Sequence, residues 1–294
     1  MNQRDIPPVL VTGATGRVGR VVIDELLHAG VPVRALSRRP EAAATLPAEA
    51  EVFAGDLTVP GSLDPALKGV GAVFLVWTAP PRTAGAVIER LAAHVRRVVF
   101  LSSPHRTPHP FFQQPNPMAV LHADIERLIA AGGVESTILR PGMFASNALA
   151  WWAPAIRSGQ VVRWPYGAAA SAPVDDRDIA AVAARALHQD EYSGGDYVLT
   201  GPESLTHAAQ ADVIGDALGR RIAFEEMTPD EFRSLCAGTV PDSAVDMLLA
   251  AWSAAVGQPA YLTTAVADIL GRPPRTLRQW AADHASAFTK DGQG

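Results

Sequence analysis

The segment that most constrains the fold of this chain is residues 9–22, VLVTGATGRVGRVV. Its apolar start, Val9–Val11, predicts a buried parallel strand, and apolar residues from Val18 to Leu27 recur at helical spacing. A glycine-rich turn joins the two. Backbone N–H groups and the positive end of the helix dipole favour an anion at such a helix N-terminus. The segment therefore predicts a strand, loop and helix that bind phosphate.

The three glycines of this loop follow the spacing GxxGxxG. Gly13 permits a sharp turn, Gly16 lets the backbone approach a pyrophosphate, and Gly19 lets the helix pack close to the strand. The alternative is a structural turn whose glycines serve packing only. We expect the loop to bind a dinucleotide through Gly13, Ala14, Thr15, Gly16, Arg17, Val18 and Gly19.

Composition narrows the class of protein. The chain has 294 residues, of which 48% are hydrophobic, which is enough for a large core. Its net charge of -5, without a run of Lys or Arg, argues against a nucleic-acid partner. No segment resembles a signal peptide or a membrane span, and Cys236 is the only cysteine. We expect a cytoplasmic protein without disulfides, membrane contact or a bound metal.

After the first loop, strand and helix patterns alternate six times along the chain. This alternation predicts an α/β fold, a doubly wound parallel sheet of the Rossmann type, with ligands at the carboxyl ends of the strands. The second half is less regular and predicts mostly helices, among them one helix over residues 147–156. We therefore expect a cofactor-binding domain over 1–150 and a smaller, mostly helical substrate or cap lobe over 151–294 that completes the same globule.

Two arginines, Arg38 and Arg39, follow the second expected strand, where the adenosine ribose lies in a dinucleotide fold. A carboxylate there would hold the 2′-hydroxyl of NAD, whereas a guanidinium binds a 2′-phosphate and stacks on adenine. The chain has no acid at this position. We therefore expect NADP(H) as the cofactor, while Arg39 also fits a solvated loop.

Other strand ends offer further cofactor contacts. Asp56 follows the third expected strand, where its carboxylate can accept a hydrogen bond from the adenine amino group while Leu57 packs on the ring. Asp56 equally fits the cap of the next helix. The remaining expected cofactor residues at or beside strand ends are Trp77, Thr78, Ser102, Pro141, Gly142 and Met143.

These residues resemble the NmrA-like branch of the atypical short-chain dehydrogenase/reductases. The resemblance rests on the glycine loop, on Arg38, on Gly55–Leu57 and on residues 137–144, TILRPGMF. Residues 197–203, YVLTGPE, are similar to the family's C-terminal half. The resemblance implies an NADP-binding domain in proteins that are quinone, enone or phenylcoumaran-type reductases, or redox-sensing regulators without turnover.

The wider superfamily uses a Tyr and a Lys one helical turn apart, and this chain has Met118 and His122 at the matching positions. His122 can donate to a cofactor ribose hydroxyl or protonate an oxyanion, and it equally fits a half-buried helix position. Ser103 fits a substrate carbonyl or a turn. His105 and His109 can supply a proton from their loop, but they are a poor zinc site without an acidic partner. We expect catalysis by Ser103, His122 and His105.

Three functions remain open on the sequence. The first is an NADPH-dependent reductase of a small activated acceptor such as a quinone, enone or imine, which needs little acid catalysis and so tolerates the missing Tyr. The second is an NADP(H)-binding redox sensor that reports to a protein partner. The third is a non-redox biosynthetic enzyme, an epimerase, dehydratase or cyclase. We expect the first, with a small-molecule substrate, and a homodimer is one option for the oligomeric state.

Overall fold

The computed structural model describes residues 6–39, 41 and 45–289. The chain forms two compact units that interleave along the sequence. The first unit comprises Met1–Ser103, Pro117–Pro141 and Asp176–Val198, and the second comprises Pro104–Asn116, Gly142–Asp175 and Leu199–Gly294. Because Asp176–Val198 returns to the first unit, the units do not follow a single cut at residue 150. The division of cofactor and substrate binding between 1–150 and 151–294 stays a prediction.

In chain order the strands of both units are β1 (Val9–Val11), β2 (Val33–Ser37), β3 (Glu51–Ala54), β4 (Ala72–Val76), β5 (Arg97–Leu101), β6 (Glu135–Pro141), β7 (Val162–Trp164), β8 (Ala170–Ser171), β9 (Asp196–Leu199), β10 (Leu205–Thr206) and β11 (Phe224–Glu226). The first unit is built on one parallel sheet with strand order β3-β2-β1-β4-β5-β6-β9. β1 pairs with β2 on one side and with β4 on the other. Ligands bind at the carboxyl ends of strands beside such a switch in strand order. The expected doubly wound parallel sheet is confirmed.

Both units contain helices, and those of the first unit pack against its sheet through their apolar faces. The helices are α1 (Arg17–His28), α2 (Asp64–Leu67), α3 (Ala84–His94), α4 (Pro117–Ala131), α5 (Asn147–Trp151), α6 (Ala153–Ser158), α7 (Asp176–His188), α8 (His207–Ala217), α9 (Pro229–Cys236), α10 (Asp242–Ala255), α11 (Ala265–Leu270) and α12 (Leu277–Asp283). In α1, Val18, Val22 and Leu26 are buried at a spacing of four residues. Strand and helix side chains such as Val73 and Ile125 share the core of the first unit.

The second unit has an aromatic core of its own. Trp164 lies with its ring centroid 5.5 Å from that of Trp252 and 4.9 Å from that of Phe232. His207 is buried beside Trp252, and its Nδ1–H donates to the Pro165 carbonyl at 3.1 Å. Burial lowers the pKa of His207 to about 4, although the hydrogen bond to Pro165 opposes this shift. The imidazole is therefore neutral at neutral pH.

Two details of the expected fold are corrected. The sheet has a seventh strand, β9, and the Ile138 N–H of β6 donates to the Gly195 carbonyl at 2.9 Å beside it. The single helix expected over 147–156 is two helices, α5 and α6. Pro154 lies in the first turn of α6, because inside one continuous helix it would lack an N–H donor and clash with the preceding turn. Among the described residues, no helix is long and apolar enough to cross a membrane.

Candidate functional site

A groove in the first unit follows the carboxyl ends of β1, β2, β3 and β4. The residues that line it are Thr12, Gly13, Thr15, Gly16, Leu36, Ser37, Arg38, Arg39, Gly55, Asp56, Leu57, Val76 and Thr78. Eight of these are expected cofactor residues: Gly13, Thr15, Gly16, Arg38, Arg39, Asp56, Leu57 and Thr78. The groove therefore brings together the glycine loop, the two arginines and the Asp-Leu pair, which lie far apart in the sequence.

The backbone of the glycine loop explains why each glycine is present. Gly13 has a φ of +61°, a left-handed conformation that glycine adopts at little cost. The Gly16 N–H donates to the Gly13 carbonyl at 2.9 Å, which closes the turn. A Cβ on Gly19 would lie 2.3 Å from the Gly13 carbonyl oxygen, so the helix could not approach the loop with any side chain there. The loop is tight because it has no side chains at these three positions.

The N-terminus of α1 at the end of this loop suits an anion. Gly16 is the N-cap residue, no side chain caps the helix, and its first turn has no acidic residue. The first N–H groups of a helix have no partner within it, and the helix dipole is positive there. Gly16 also presents no Cβ to a ligand that approaches the backbone. The loop therefore fits a dinucleotide pyrophosphate.

Thr12 fixes the loop to the neighbouring strand, and the sequence did not single it out. Its Oγ1 accepts a hydrogen bond from the Val76 N–H at 2.8 Å and donates to the Phe74 carbonyl at 3.1 Å. These contacts join the end of β1 to the end of β4. The only sequence signal for this role is a Thr directly before the first loop glycine.

Ser37 shapes the segment that carries the arginines. Its buried Oγ donates to the Arg39 carbonyl at 2.8 Å and accepts from the Arg39 N–H at 3.2 Å. This turn leaves Arg38 and Arg39 exposed at the groove. Among the described residues, neither guanidinium has an ion pair or hydrogen bond. Two cations held at the rim fit the 2′-phosphate of NADP(H).

Asp56 lies at the same groove in a turn of its own. Its Oδ1 accepts a hydrogen bond from the Thr58 N–H at 2.8 Å. The next helical turn begins at Pro60 with Val59 as its N-cap, so Asp56 does not cap it. Asp56 and the buried Leu57 both line the groove, and their expected contacts with adenine stay a prediction.

Other expected cofactor residues lie outside this groove. Ala14, Val18 and Gly19 are buried in the loop and helix, and Arg17 is exposed. Trp77 is buried, and its Nε1–H donates to the Ala79 carbonyl at 2.6 Å. The cofactor roles expected for these residues stay predictions. The same holds for Ser102, His122, Pro141, Gly142 and Met143.

A buried charge network occupies the end of β5 and β6. The Arg140 guanidinium donates to both oxygens of Glu126, at 2.8 Å each, and to Asp196 Oδ1 at 2.5 Å. Burial alone would lower the pKa of Arg140, but hydrogen bonds to Asp196 and Glu126 outweigh burial and raise the pKa. Ser102, an expected cofactor residue, donates its hydroxyl to Glu126. This network stabilises the strand ends that precede the candidate catalytic residues.

The expected catalytic residues are divided between the units. Ser103 is half-buried in the first unit, and its carbonyl accepts from Arg140 Nη1 at 3.0 Å. His122 is half-buried on α4, with its ring edge-to-face against Phe100 at 5.6 Å. His105 belongs to the loop of the second unit. The structure does not test their roles, which stay predictions. Met118 is 45% exposed at the position of the missing Tyr.

His109 has a hydrogen-bond contact at each ring nitrogen. Its Nδ1 accepts from the Phe111 N–H at 3.2 Å, so the proton lies on Nε2, which is 2.9 Å from the Pro259 carbonyl. Both ring nitrogens are therefore occupied, which does not favour His109 as a proton donor. Among the described residues, no group of three or more His, Cys, Asp or Glu could hold a metal ion.

The second unit contains a pocket of different character. Its lining residues are His109, Phe111, Phe112, Gly142, Met143, Ala170, Ser171, Ala172, Thr200, Ala260 and Tyr261. Gly142 and Met143, expected as cofactor residues, directly follow Pro141 at the end of β6, and Thr200 directly follows β9. The volume of this pocket is about 10 Å³, room for about one water molecule and far less than a small-molecule site needs. Sequence reasoning missed Ser171 and Tyr261, and it noted Thr200 only as part of residues 197–203, without a role in a pocket.

Comparisons with known proteins agree with a nicotinamide cofactor site in the groove of the first unit. Residues 13–190 match the family described as NAD(P)H-binding. The chain is 40% identical to a (4-alkanoyl-5-oxo-2,5-dihydrofuran-3-yl)methyl phosphate reductase of Streptomyces griseus, over 96% of this chain and 100% of the relative. It is 31% identical to an NAD(P)H azoreductase of Xenophilus azovorans, over 95% of this chain and 99% of the relative. A solved NADPH-dependent quinone oxidoreductase of Escherichia coli, complexed with NADPH, has a TM-score of 0.79 and 27% identity, with 95% of this chain and 98% of that chain covered.

The chain therefore belongs to the NAD(P)H-binding family. The family match confirms the expected NAD(P)H-binding family, and a solved NmrA structure shares the fold, with a TM-score of 0.73 at 17% identity.

Proposed function

We propose that this protein is an NADPH-dependent reductase of a small activated acceptor such as a quinone or an enone. The observation that carries the proposal is the groove of the first unit. There an uncapped helix N-terminus follows the glycine loop, and Arg38 and Arg39 are exposed at the rim. The pyrophosphate and the 2′-phosphate of NADPH fit these two features.

The relatives support a reductase. The three proteins compared above are named as reductases or oxidoreductases, and two of the names specify the reduced nicotinamide cofactor. Their named substrates differ: a furanone phosphate, an azo compound and a quinone. We infer from this range that the shared property is a small acceptor that readily takes a hydride, while the particular acceptor differs from protein to protein.

The residues of this chain hold and orient the reactants. The loop backbone binds the pyrophosphate, and the arginines select the 2′-phosphate. When bound, the reduced nicotinamide supplies a hydride, which carries both electrons. The reduced acceptor also takes one proton, for which Ser103, His122 and His105 are the predicted hydrogen-bonding and proton-supplying candidates. A quinone needs no strong acid for this step, so the missing Tyr and Lys are compatible with turnover.

The test is NADPH oxidation by the purified protein with a panel of quinones and enones, followed by the absorbance of the reduced nicotinamide. We expect oxidation with one or more acceptors, and slower oxidation of NADH. Reactions without protein and without acceptor are the controls. Tight NADPH binding without oxidation by any acceptor would contradict the reductase and favour the redox sensor.

Two further predictions, on the oligomeric state and the location, accompany this proposal. A small molecule is the substrate, and we retain the homodimer and the cytoplasmic location as predictions. Light scattering of the purified protein and fractionation of the producing cells test them.

A further inference from the structure

Arg20, which directly follows the third loop glycine, contacts two successive carbonyls of the glycine loop. Its backbone N–H donates to the Gly16 carbonyl at 3.1 Å, and its side-chain Nε–H donates to the Thr15 carbonyl at 3.0 Å. The Gly16 N–H, in the same peptide group as the Thr15 carbonyl, donates to the Gly13 carbonyl at 2.9 Å. The peptide group between Thr15 and Gly16 is therefore held at both of its polar atoms, and the Arg20 side chain supplies one of the two contacts.

This peptide group belongs to the wall of the cofactor groove, since Thr15 and Gly16 both line it. A peptide that rotated freely here would at times present its carbonyl oxygen, the negative end of its dipole, to an anion at the loop. The hydrogen bond from Arg20 holds that oxygen. A loop that is already ordered binds its ligand at a smaller cost in conformational entropy.

The charge of Arg20 lies where the helix alone does not favour a cation. Arg20 is the fourth residue of α1, whose first turn has no acidic residue, and the helix dipole is positive at this end. Among the residues that the structure describes, no carboxylate pairs with the Arg20 guanidinium, whose hydrogen bond goes to the Thr15 carbonyl. A cation at this position is favourable only when an anion binds nearby, and a dinucleotide pyrophosphate carries two negative charges.

We infer that Arg20 is a positioning residue for the cofactor pyrophosphate, because its Nε–H fixes the Thr15 carbonyl and its charge attracts the pyrophosphate. The inference rests on the NADPH site of the proposed function and adds to it a residue outside the groove lining. Arg20 and Arg38 then act on different parts of the cofactor. Arg38 is expected to distinguish NADPH from NADH, whereas Arg20 affects both equally, because both carry a pyrophosphate.

Three substitutions separate the hydrogen bond from the charge. Gln has its amide nitrogen at the side-chain position of the arginine Nε, so Arg20→Gln keeps the donor and loses the charge. Lys has a methylene at that position and a charged end, so Arg20→Lys keeps the charge and loses this donor. Arg20→Met loses both. Arg127→Gln, on α4, is the matched control for the loss of one positive charge, because its side chain is 74% exposed and does not line the groove.

Calorimetric titration with NADPH and with NADH at two salt concentrations measures the contribution of the charge. In about 0.01 M salt we expect Arg20→Gln to bind both cofactors about fivefold more weakly than the parent, because charges interact over long distances there. In about 1 M salt, which screens charges beyond about 3 Å, this difference should fall below about twofold. Arg127→Gln should bind both cofactors as the parent does at both salt concentrations.

The same titrations measure the contribution of the hydrogen bond, which salt does not screen. We expect Arg20→Lys to bind about fivefold more weakly than the parent at both salt concentrations, since it lacks the donor. Arg20→Met should bind about 25-fold more weakly in low salt and about fivefold more weakly in high salt. A loss for NADPH without a loss for NADH would overturn the inference, because it would place Arg20 at the 2′-phosphate.

Thermal unfolding without cofactor distinguishes a role in binding from a role in the fold. We expect Arg20→Gln to unfold at a temperature equal to that of the parent or up to about 3 °C above it, because a cation leaves the positive end of α1. An unfolding temperature below that of the parent would show that the charge serves the fold, and it would overturn the inference.

The outcomes for this inference and for the proposed function are distinguishable. Unchanged affinity of Arg20→Met in low salt, with NADPH oxidation by the parent, would remove the role of Arg20 and leave the reductase. Weaker cofactor binding by Arg20→Met, in a protein that oxidises NADPH with none of the acceptors, would support the role of Arg20 and remove the reductase.

Discussion

The two units of this protein form their cavities by different means. The groove of the first unit is made by backbone and charge: a glycine loop, an uncapped helix and two exposed arginines. The pocket of the second unit is made by side chains: aromatic walls and buried hydroxyls. Backbone sites need glycines at fixed spacing, so they leave a pattern in the sequence. Side-chain cavities assemble from separate segments and leave none.

The largest effect we expect concerns charge inside the first unit. Arg140→Met leaves the buried Glu126 carboxylate without its guanidinium partner. Loss of one partner of a buried ion pair costs about 3–5 kcal/mol of unfolding free energy. Urea unfolding followed by circular dichroism measures this loss. Arg127→Met, at an exposed position of α4, the helix that carries Glu126, should change stability by less than about 0.5 kcal/mol. Similar values for both variants would show that the unit does not depend on buried charge.

In the second unit the buried titratable group is His207, which is uncharged at neutral pH. Its effect on the free energy of unfolding depends on pH. The pKa of His207 is about 4 in the folded protein, below its ordinary value of 6.5. Between these values the unfolded chain takes up a proton that the folded protein does not, so stability falls as pH decreases from 6.5 to 4. The loss of unfolding free energy over this pH range is on the order of 3 kcal/mol.

His207→Gln should remove this part of the pH dependence. The measurement is the difference in unfolding free energy between parent and variant at several pH values across that window. A constant difference would contradict the neutral, buried histidine.

A smaller effect tests the close packing of the glycine loop. The Cβ of Gly19→Ala would meet the Gly13 carbonyl, so the loop must shift. We expect a loss of about 1–3 kcal/mol in stability and at least about tenfold in NADPH affinity by calorimetry. Gly85→Ala, in α3, is the control and should be neutral or slightly stabilising, because its new Cβ would meet no described atom within 4 Å apart from its chain neighbours and the nearby helix backbone. Full NADPH affinity in Gly19→Ala would show that cofactor binding does not depend on the close packing of this loop.

The smallest expected effect is a change in cofactor affinity that distinguishes NADPH from NADH. Arg38→Ala should weaken NADPH binding about tenfold and leave NADH binding within about threefold, because only NADPH carries the 2′-phosphate. Arg39→Ala tells whether the second arginine shares this role or only faces solvent. An equal loss for both cofactors would mean that Arg38 contacts some other part of the nucleotide.

Most of the fold followed from the sequence because it depends on local patterns. The apolar runs of β1, β4 and β5 and the amphipathic face of α1 place the sheet and its first helix. The pairing of β9 with β6 did not follow, because the apolar pattern of a strand does not identify its partner strand. The break between α5 and α6 was signalled by Pro154, but the apolar pattern on both sides of it favoured one helix.

The groove was predicted better than the rest of the candidate sites. Gly13, Arg38 and Asp56 lie together as expected, because each follows the end of a neighbouring parallel strand. Thr12 and Ser37 were missed, since their contacts with the backbone have no marked spacing. The place of Ser171 and Thr200 in the pocket could not be found, because their hydrogen-bond partners, Gln210 and Thr263, lie distant in the chain.

The return of Asp176–Val198 to the first unit has a consequence for synthesis in the cell. A ribosome releases Gly142–Asp175, which belong to the second unit, before α7 and β9 emerge. Until then β6 has an unpaired edge, and such an edge is a template for aggregation. A fragment ended at residue 150 would keep that open edge permanently. The nascent chain thus passes through a vulnerable interval that ends only when its last sheet strand has left the exit tunnel.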